Sequence, residues 1–376
     1  MRKIKIGNKQ VGEGEATFII AEAGSNHNGK LEQAKKLIDV AADAGVDAVK
    51  FQLFKAERMY PKNCGVVDTP MGKVDFFKVL KNMELPLTWL EILKEYSEKK
   101  GLIFLCSCFD EQSADVLENV GIKAHKLGSP ELNHIPLLEQ LGKKNKPIIL
   151  STGLSKLCEV EEAIDTCYRM RNKQVILLHC VSAYPTPLED CNLNVIKTLK
   201  IAFDVSVGFS DHTLDPIIAP VTAVSIGADV IEKHFTISKK LEGPDHSFAL
   251  EPLELKKMVE QIRKVEKIED KLASVSKSFG KEKTDTVLGT HKKMIAPSEK
   301  DIYPNDKRSI HAVQNINKGD MLTKENIMVI RSERNLSPGI HPRYYELILG
   351  KKANRSMLYG KGITWDDLLG GGKNGN

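Results

Sequence analysis

The sequence has no long hydrophobic run. Nowhere in its 376 residues does an apolar stretch approach the ~20 residues that a membrane-spanning helix needs. The basic N-terminus, MRKIKI, is not followed by the apolar core of a secretory signal peptide. A composition with 41% hydrophobic and 28% charged residues is that of an ordinary globular protein. We therefore expect a cytoplasmic protein with no membrane partner.

Cysteine is sparse and shows no metal-binding or disulfide pattern. The seven cysteines are an odd number, and Cys106 and Cys108 are too close for the C-x₂-C spacing of a zinc knuckle. This argues against a disulfide framework and against a structural zinc cluster. We expect reduced and mostly buried thiols.

Two further signatures are missing. The loop after the first predicted strand, residues 23–29 (AGSNHNG), has only two glycines, at the wrong spacing for the dinucleotide-binding G-x-G-x-x-G. Beyond residue 270 there are 19 Lys and Arg against 11 Asp and Glu, but they are scattered, with no dense basic run and no interleaved aromatics. We therefore expect no nucleic-acid partner. A basic balance near an active site would instead favour an anionic small substrate.

The first 270 residues alternate short apolar runs with amphipathic helical stretches. The runs are rich in Val, Ile and Leu, which is typical of parallel strands buried on both faces. The predicted strands are 18–22, 46–52, 102–107, 124–129, 147–152, 175–182, 205–210 and 229–235. The predicted helices are 31–44, 87–100, 111–120, 135–142, 156–170, 192–203, 215–226 and 252–271. Eight strand–helix pairs predict an α/β protein with a (β/α)₈ TIM barrel over residues 1–272; an open doubly wound sheet is the alternative.

The remaining segments depart from this alternation. Residues 63–84 are polar and predict a loop or short hairpin over the barrel mouth. Residues 273–306, rich in Ser, Lys and Thr, predict a linker. A small second domain is predicted over 307–369, with strands near 309–313 and 328–331. The glycine-rich tail 370–376 is predicted to be disordered.

Two histidines lie at the same position in consecutive β-α units. His212 and His234 follow the seventh and eighth predicted strands, and side chains at that edge of a parallel barrel converge on the active site. Two neutral imidazoles bind a divalent metal readily, although two ligands are too few for a structural zinc site. We predict an open Lewis-acid site, with His27 and His246 as further candidate ligands. Mid-strand His179 is better explained as a core histidine, and two unrelated polar histidines are the alternative to a metal site.

Two lysines and several serines also fall at predicted strand ends. Lys50 lies inside an apolar strand (VDAVKFQ) and Lys126 ends another; a buried ammonium group must be paired or neutralised. Lysines and serines at one rim suit a phosphate or carboxylate on a substrate, and lysines reaching solvent along the barrel are the alternative. Asp211 and Asp245 are candidate acid or base groups, and Asp211 could equally cap a turn.

Eight motifs at these strand ends resemble, in order, the sialic acid synthase family, whose members make nine-carbon nonulosonic acids. They are AEAGSNHNG (21–29), VKFQ (49–52), KLGS (126–129), ILSTG (149–153), HC with YPTP (179–187), SDHT (210–213), EKHF (232–235) and GPDH (243–246). Residues 307–369 resemble the family's C-terminal antifreeze-like (SAF, β-clip) domain. The likeness therefore runs nearly end to end.

The resemblance implies that phosphoenolpyruvate condenses with an N-acetylmannosamine-type sugar to give N-acetylneuraminate or a related sialic acid, releasing phosphate. It implies that His212 and His234 hold a divalent metal, typically Mn²⁺, with Mg²⁺ or Co²⁺ as alternatives, which polarises the carbonyl of the open-chain sugar. C3 of phosphoenolpyruvate attacks that carbon, water adds at C2, and phosphate leaves.

The resemblance also implies individual roles. The residues implied to bind phosphoenolpyruvate are Lys50, Lys126, Ser107, Ser129, Ser151, Ser182 and Ser210. Those implied to contact the sugar are Gln52, Glu131, Tyr184 and Asp245. Glu22 would handle a proton or position the water. Arg331 would reach the N-acetyl group from the other protomer of a domain-swapped homodimer.

Three departures from the family pattern leave the sugar open. Ser182 stands where the family often has Asn, CSC (106–108) replaces Ser-Thr-Pro, and SERNLSPGIHP (332–342) replaces Pro-Gly-Thr-Gly after the arginine. A diacetylated 6-deoxy sugar, giving N,N′-diacetyllegionaminate or pseudaminate, is the alternative acceptor; GPDH (243–246) is unlike the pseudaminic branch.

Two other functions fit parts of the pattern. A metal-dependent barrel aldolase, or a synthase that uses a 6-phosphorylated acceptor, would need the same polar rim. A non-catalytic ice- or carbohydrate-binding module on an inert barrel would need only the C-terminal domain, and the intact rim argues against it.

Overall fold

A computed structural model of the chain describes residues 3–69, 72–333 and 335–368; the predicted tail 370–376 lies outside these ranges. The strands are β1 (Ile4–Ile6), β2 (Lys9–Val11), β3 (Phe18–Gly24), β4 (Ala48–Leu53), β5 (Val66–Thr69), β6 (Gly72–Asp75), β7 (Ile103–Cys108), β8 (His125–Leu127), β9 (Ile148–Ser151), β10 (Val175–Cys180), β11 (Ser206–Asp211), β12 (Val230–His234), β13 (Arg308–Ala312) and β14 (Ile327–Arg331). The helices are α1 (Leu31–Ala44), α2 (Ala56–Met59), α3 (Phe76–Asn82), α4 (Leu90–Lys99), α5 (Glu111–Val120), α6 (Ile135–Lys143), α7 (Leu157–Arg169), α8 (Val195–Phe203), α9 (Ile218–Ser225), α10 (Pro252–Val265), α11 (Lys271–Phe279), α12 (Lys281–Leu288), α13 (Tyr303–Asp306) and α14 (Tyr345–Ile348).

Eight parallel strands close into a barrel. Their order is β3, β4, β7, β8, β9, β10, β11 and β12, and β12 pairs back onto β3 with His234 opposite Glu22. Each predicted strand overlaps one of them, and a wall helix follows each strand. The predicted (β/α)₈ barrel is therefore confirmed. Its parallel strands all point their carboxyl ends to one face, where active sites of such barrels lie.

The amino end of the barrel is closed by a hairpin that the sequence pattern did not reveal. Strands β1 and β2 pair with Ile4 opposite Val11. Their apolar side chains join those at the first residues of the barrel strands, including Phe18 and Ala48, in one buried cluster. This hydrophobic plug fills the barrel at the end opposite the carboxyl face.

The polar segment 63–84 forms the predicted short hairpin. Strands β5 and β6 pair antiparallel and lead into α3, whose N-cap Asp75 accepts a hydrogen bond from the Lys78 amide. Apolar side chains beneath it form a cluster of their own, with the Tyr60 and Phe76 rings 5.1 Å apart. The segment thus adds an apolar wall beside the barrel mouth.

The segment predicted as a linker, 273–306, is instead folded onto the barrel. Helices α11 and α12 pack against α9, burying Val275 and Val287, and the Leu193 amide donates to Val287 O at 2.9 Å. The prediction of a linker was wrong, because the segment holds two packed helices. Its composition was misleading, since each helix buries only a few apolar side chains among many Lys, Ser and Thr.

The C-terminal domain is built on the antiparallel pair β13 and β14, with Arg308 opposite Arg331. A small core surrounds the pair, centred on Ile310, Ile327 and Ile363. Within the described ranges, no helix is both long enough and apolar enough to cross a bilayer.

Candidate active site

A cavity of about 220 Å³ lies at the carboxyl end of the barrel. The structure brings to its wall every residue to which the family resemblance assigns a role. They are Glu22, Lys50, Gln52, Ser107, Lys126, Ser129, Glu131, Ser151, Ser182, Tyr184, Ser210, His212, His234, Asp245 and Arg331. Their convergence is what parallel strand ends produce, and their individual roles stay predictions.

Lys50 lies at the floor of this cavity between two carboxylates. Its Nζ is 2.6 Å from Glu22 Oε2 and 3.7 Å from Glu232 Oε2, and it donates to Ser107 Oγ at 3.0 Å. Burial opposes the charge on Lys50, but the two carboxylates outweigh it and raise its pKa. Burial also raises the pKa of Glu22 to about 6, against the attraction of Lys50. The buried lysine is therefore paired within the chain itself.

Lys126 is the second cation of the floor. It donates to Ser151 Oγ at 2.8 Å and lies 3.5 Å from Glu232 Oε1. Burial lowers its pKa, and Glu232 only partly opposes that effect. An additional anion beside Lys126 would therefore favour its charged form.

Glu232 is a site residue that the sequence reasoning missed. It lines the cavity, accepts from Ser210 Oγ at 3.1 Å and bridges the two lysines. Burial would raise its pKa, but Lys126 and Lys50 together lower it. The sequence could have indicated Glu232, because it lies two residues before His234 on the same strand and therefore on the same face.

The serines around the floor differ in what their hydroxyls contact. Ser107 and Ser151 accept from the lysines, and Ser129 Oγ accepts from the Gly153 amide at 2.9 Å. Ser182 Oγ is buried without a hydrogen-bond partner in the described part of the chain. A buried hydroxyl without a partner is costly, so a ligand that bonds to it would bind favourably.

His212 and His234 face each other with ring centroids 5.4 Å apart. His212 Nδ1 hydrogen-bonds with Val181 O at 2.7 Å, which leaves Nε2 for a ligand. His234 Nδ1 is buried without a hydrogen-bond partner among the described residues and lies 3.9 Å from Asp245 Oδ2. Burial lowers both pKa values and so favours the neutral form of both rings. Two neutral imidazoles suit a divalent metal, and His234 Nδ1 has no hydrogen-bond partner in the described residues to compete with it.

The other candidate ligands lie elsewhere. His179 Nε2 contacts Cys191 O at 2.7 Å, as expected of a core histidine. His246 hydrogen-bonds with Thr236, and His27 packs edge-on against Trp89. Over the ranges that the structure describes, no group of three or more His, Cys, Asp or Glu side chains could hold a metal ion. Any metal site therefore rests on the predicted pair.

The two aspartates predicted as acid or base groups have different surroundings. Asp211 pairs with Lys233 at 2.6 Å and accepts from the Thr213 amide, so it caps a turn. Asp245 lines the cavity, and burial raises its pKa to about 6. Gly24, at φ +53°, lies so close that a Cβ there would be 2.9 Å from Asp245 Oδ2, so this approach requires glycine.

Arg331 enters the cavity from β14 and contacts the barrel of its own chain. Its Nη2 is 2.5 Å from Glu131 Oε1, and its Nη1 is within hydrogen-bonding distance of Tyr60 Oη (3.0 Å) and Asp306 Oδ1 (3.2 Å). Within the single chain, the folded segment 273–306 brings β14 over the same barrel. The domain-swapped homodimer stays a prediction of the family resemblance.

Arg308, Tyr60 and Asp306 were not foreseen. Arg308 Nε donates to Glu131 Oε1 at 3.1 Å, so two arginines share one buried carboxylate. Arg308 and Glu131 are 177 positions apart in the sequence, and Arg331 and Tyr60 are 271 positions apart. No local pattern signals such pairings.

One side of the cavity is apolar, and Tyr184 lies at its mouth. The apolar wall consists of Phe54, Met59, Leu80, Met83 and Phe109. Tyr184 is 54% exposed and its ring is 4.1 Å from that of His212. The cavity thus pairs a charged floor and an imidazole pair with an apolar face.

Two family models match the chain. The model described as the NeuB family matches residues 37–273, and the SAF domain model matches residues 307–369. The chain belongs to the NeuB family. Relatives of this NeuB protein are named as sialic, legionaminic and pseudaminic acid synthases, so it is an enzyme of the nonulosonic acid synthase family.

Three relatives match this chain over most of its length. Spore coat polysaccharide biosynthesis protein SpsE of Bacillus subtilis is 44% identical over 372 residues, 98% of each chain, and its crystal structure matches with a TM-score of 0.84 over 98% of this chain and 99% of that one. N,N′-diacetyllegionaminic acid synthase of Legionella pneumophila is 36% identical over 98% of each chain. A sialic acid synthetase of Leptospira borgpetersenii, solved with citrate, matches with 33% identity and a TM-score of 0.65 over 80% of this chain and 95% of that one.

Proposed function

We propose that this NeuB protein condenses phosphoenolpyruvate with an N-acetylated amino sugar of the N-acetylmannosamine type, giving N-acetylneuraminate or a related sialic acid and phosphate. The observation that carries the proposal is the meeting of Lys50, Lys126 and the serine hydroxyls with the His212–His234 pair in one cavity. The first group suits an anionic donor, and the second suits a carbonyl acceptor.

Phosphoenolpyruvate would occupy the charged floor. Lys126, whose burial lowers its pKa, gains a counter-ion from a bound phosphate or carboxylate. The Ser182 hydroxyl, without a hydrogen-bond partner in the described ranges, gains an acceptor. Ser107, Ser129, Ser151 and Ser210 complete the polar surround. Citrate bound to the Leptospira relative is itself a small carboxylate.

His212 and His234 would hold the divalent metal, for which we propose Mn²⁺. When bound, this metal supplies Lewis-acid polarisation of the sugar carbonyl. The backbone contact from Val181 O to His212 Nδ1 fixes the ring's orientation, as metal-binding histidines require. Asp245, 3.9 Å from His234, lies where it can orient a sugar hydroxyl.

The reaction joins C3 of the donor to the carbonyl carbon of the acceptor, after which water adds at C2 and the C2–O bond to phosphate breaks. Glu22 is suited to position that water or exchange its proton, because burial raises its pKa to about 6. Gln52 donates to Glu22 Oε1 at 2.6 Å and fixes its orientation.

The acceptor would lie between the imidazole pair and the Arg331–Glu131 pair, with Gln52, Tyr184 and Asp245 around it. Arg331 would hydrogen-bond to the N-acetyl oxygen. We propose that one chain completes one site, because Arg331 contacts Glu131 of its own chain. A homodimer stays a prediction of the family resemblance.

A second candidate acceptor is a diacetylated 6-deoxy sugar. The five apolar side chains of the cavity wall suit additional methyl groups, and the Legionella relative is named an N,N′-diacetyllegionaminic acid synthase. This acceptor would undergo the same reaction with the same donor.

An acceptor panel tests the proposal. Phosphate release from phosphoenolpyruvate with Mn²⁺ is measured with N-acetylmannosamine, its 6-phosphate, and 2,4-diacetamido-2,4,6-trideoxy hexoses. We expect release with an unphosphorylated N-acetylated sugar. The proposal would be contradicted if phosphate were released only with the 6-phosphate. It would also be contradicted if none of the acceptors supported phosphate release.

A further inference from the structure

The segment between α12 and the C-terminal domain places a carboxylate against the back of the cavity. Glu299 ends a short 3-10 turn, Pro297–Glu299, and is 1% exposed. Its Oε1 accepts from the amides of Leu154 (2.8 Å) and Ser182 (2.7 Å), and its Oε2 accepts from the Ala296 amide (3.0 Å). Three amide donors satisfy a buried carboxylate.

The two amides on Oε1 come from loops that follow adjacent barrel strands. Leu154 belongs to the loop after β9 and Ser182 to the loop after β10. One carboxylate oxygen therefore bridges the two loops. Both loops adjoin the charged floor, since Ser151 ends β9 just before the first loop and Ser182 of the second loop itself lines the cavity.

The hydroxyls of the floor lie directly in front of this bridge. A Cβ placed on Gly153 would collide with the hydroxyls of Ser182 and Ser129, and would lie 3.2 Å from Glu299 Oε1. The Gly153 amide already donates to Ser129 Oγ. A shift of the loop after β9 would therefore disturb the Ser129 hydroxyl, and a shift of the loop after β10 would move the Ser182 hydroxyl.

The loop after β9 also needs an external restraint. Leu154 has φ +51°, a left-handed conformation that a side chain with a Cβ disfavours. Such conformations persist when surrounding contacts hold them. The Glu299 bond to the Leu154 amide is a contact of this kind.

We propose that Glu299 is a positioning residue for the phosphoenolpyruvate half of the cavity. It clamps the loops after β9 and β10, so that the Ser129 and Ser182 hydroxyls keep the separation that the bound anion requires. This inference rests on the proposed function. The negative charge of Glu299 would by itself repel an anion, so its contribution to binding is geometric.

The test compares Glu299→Ala and Glu299→Gln with wild type, by calorimetric binding of phosphoenolpyruvate and by the KM of each substrate. We expect Glu299→Ala to raise the Kd and KM for phosphoenolpyruvate roughly tenfold, because lost hydrogen bonds let the hydroxyls shift. The acceptor KM stays unchanged. Glu299→Gln gives a smaller rise, because its carbonyl oxygen still accepts from both loop amides, and it carries the comparison if Glu299→Ala does not fold.

Asp190→Asn is the matched control. Asp190 Oδ2 accepts from the Ser298 amide at 2.9 Å, one residue before Glu299, so it anchors the same turn without touching the amides of Leu154 or Ser182. We expect this variant to leave the affinity for phosphoenolpyruvate unchanged. A merely structural role for Glu299 would lower Tm in both Glu299 variants while leaving that affinity alone.

The outcomes separate the two proposals. Wild-type enzyme that binds no phosphoenolpyruvate overturns both the proposed function and the role of Glu299. Wild-type enzyme that binds it, with Glu299 variants of equal affinity or with an equal loss in Asp190→Asn, overturns the positioning role alone.

Discussion

Lys50 shows how a single buried cation constrains its neighbours. It is almost fully buried and lies 2.6 Å from Glu22, with Glu232 3.7 Å away. Removing one partner of a buried ion pair leaves the other charge without compensation, whereas an exposed pair contributes little. The stability of the barrel mouth therefore depends on charges that also serve the proposed chemistry.

Lys50→Met is expected to lower the free energy of unfolding by about 3–5 kcal/mol, because it leaves Glu22 buried without its cation. Equilibrium urea unfolding measures the change. The control is Lys55→Met, which breaks the pair between the 40% exposed Lys55 and Glu84 and is expected to change stability by less than about 1 kcal/mol. Equal losses in the two variants would show that the buried Lys50 pair contributes no more to the free energy of unfolding than an exposed pair.

The histidine pair is tested by loss of activity without loss of fold. His212→Ala and His234→Ala are each expected to lower phosphate release about 100-fold or more, because Lewis-acid stabilisation is worth several kcal/mol. Their Tm should stay near that of the wild type. Calorimetric titration with Mn²⁺ after metal stripping should show binding to the wild type only.

The core histidine provides the contrast. His179 is buried and contacts Cys191 O, away from the cavity, so His179→Gln should lower Tm while the activity of the folded fraction persists. Near-wild-type turnover by either cavity variant after metal stripping would refute the metal role.

At the residue scale, local pattern predicted much of the site. The histidines, lysines and serines follow predicted strands, and strand ends in a parallel barrel converge. Glu232 was within reach of the same argument through its alternation with His234. Arg308, Tyr60 and Glu299 were not, because each reaches its partners through tertiary packing of distant segments.

At the scale of elements, the N-terminal hairpin stabilises the barrel at the end away from the cavity. Ile6 is fully buried in the cluster that fills the amino end of the barrel, opposite the carboxyl end where the cavity lies. Its loss would leave a void among the first residues of the barrel strands.

Ile6→Ala is expected to lower the free energy of unfolding by about 2–5 kcal/mol, through lost burial and the cavity left behind. Both KM values should remain those of the wild type. Denaturant unfolding and steady-state kinetics measure the two effects. Ile201→Ala is the control, because Ile201 is 86% exposed and its truncation is expected to change stability by less than about 0.5 kcal/mol. A raised KM in Ile6→Ala would couple the two ends of the barrel.

The segment 273–306 shows where sequence reasoning at this scale fails. Composition indicates a linker, yet α11 and α12 pack on α9 through Val275 and Val287. Each of these short helices buries only one apolar side chain deeply, so the composition of the segment is polar enough to resemble that of a linker. By contrast, the barrel strands are buried along their whole length, and that pattern is strong.

At the scale of the whole molecule, Arg331 links the two domains. Because it lies beside Glu131 and Asp306 on the proposed sugar side, Arg331→Ala should raise the acceptor KM far more than that for phosphoenolpyruvate. One charged hydrogen bond contributes roughly 1.5–3 kcal/mol, or about 10–150-fold. Steady-state kinetics with each substrate varied in turn measures this, and equal effects on both constants would contradict the placement.

Co-expressing two impaired variants, assayed at an acceptor concentration far below the raised KM of Arg331→Ala, tests whether a site is completed within one chain. In a domain-swapped dimer, Arg331→Ala mixed with His212→Ala would regenerate one intact site in each mixed pair. The structure has Arg331 over its own barrel, so we expect no recovery of phosphate release after co-expression of the two variants. Recovery towards a quarter of wild-type activity, as random pairing would give, would establish the swapped arrangement.

The central claim is that this NeuB protein forms a carbon–carbon bond between phosphoenolpyruvate and an N-acetylated amino sugar. The most direct measurement is mass spectrometry of the product from phosphoenolpyruvate labelled with ¹³C at all three carbons, alongside phosphate determination. We predict one phosphate for each new sugar acid, and all three labelled carbons in that acid. Phosphate released without a labelled sugar acid would contradict the account.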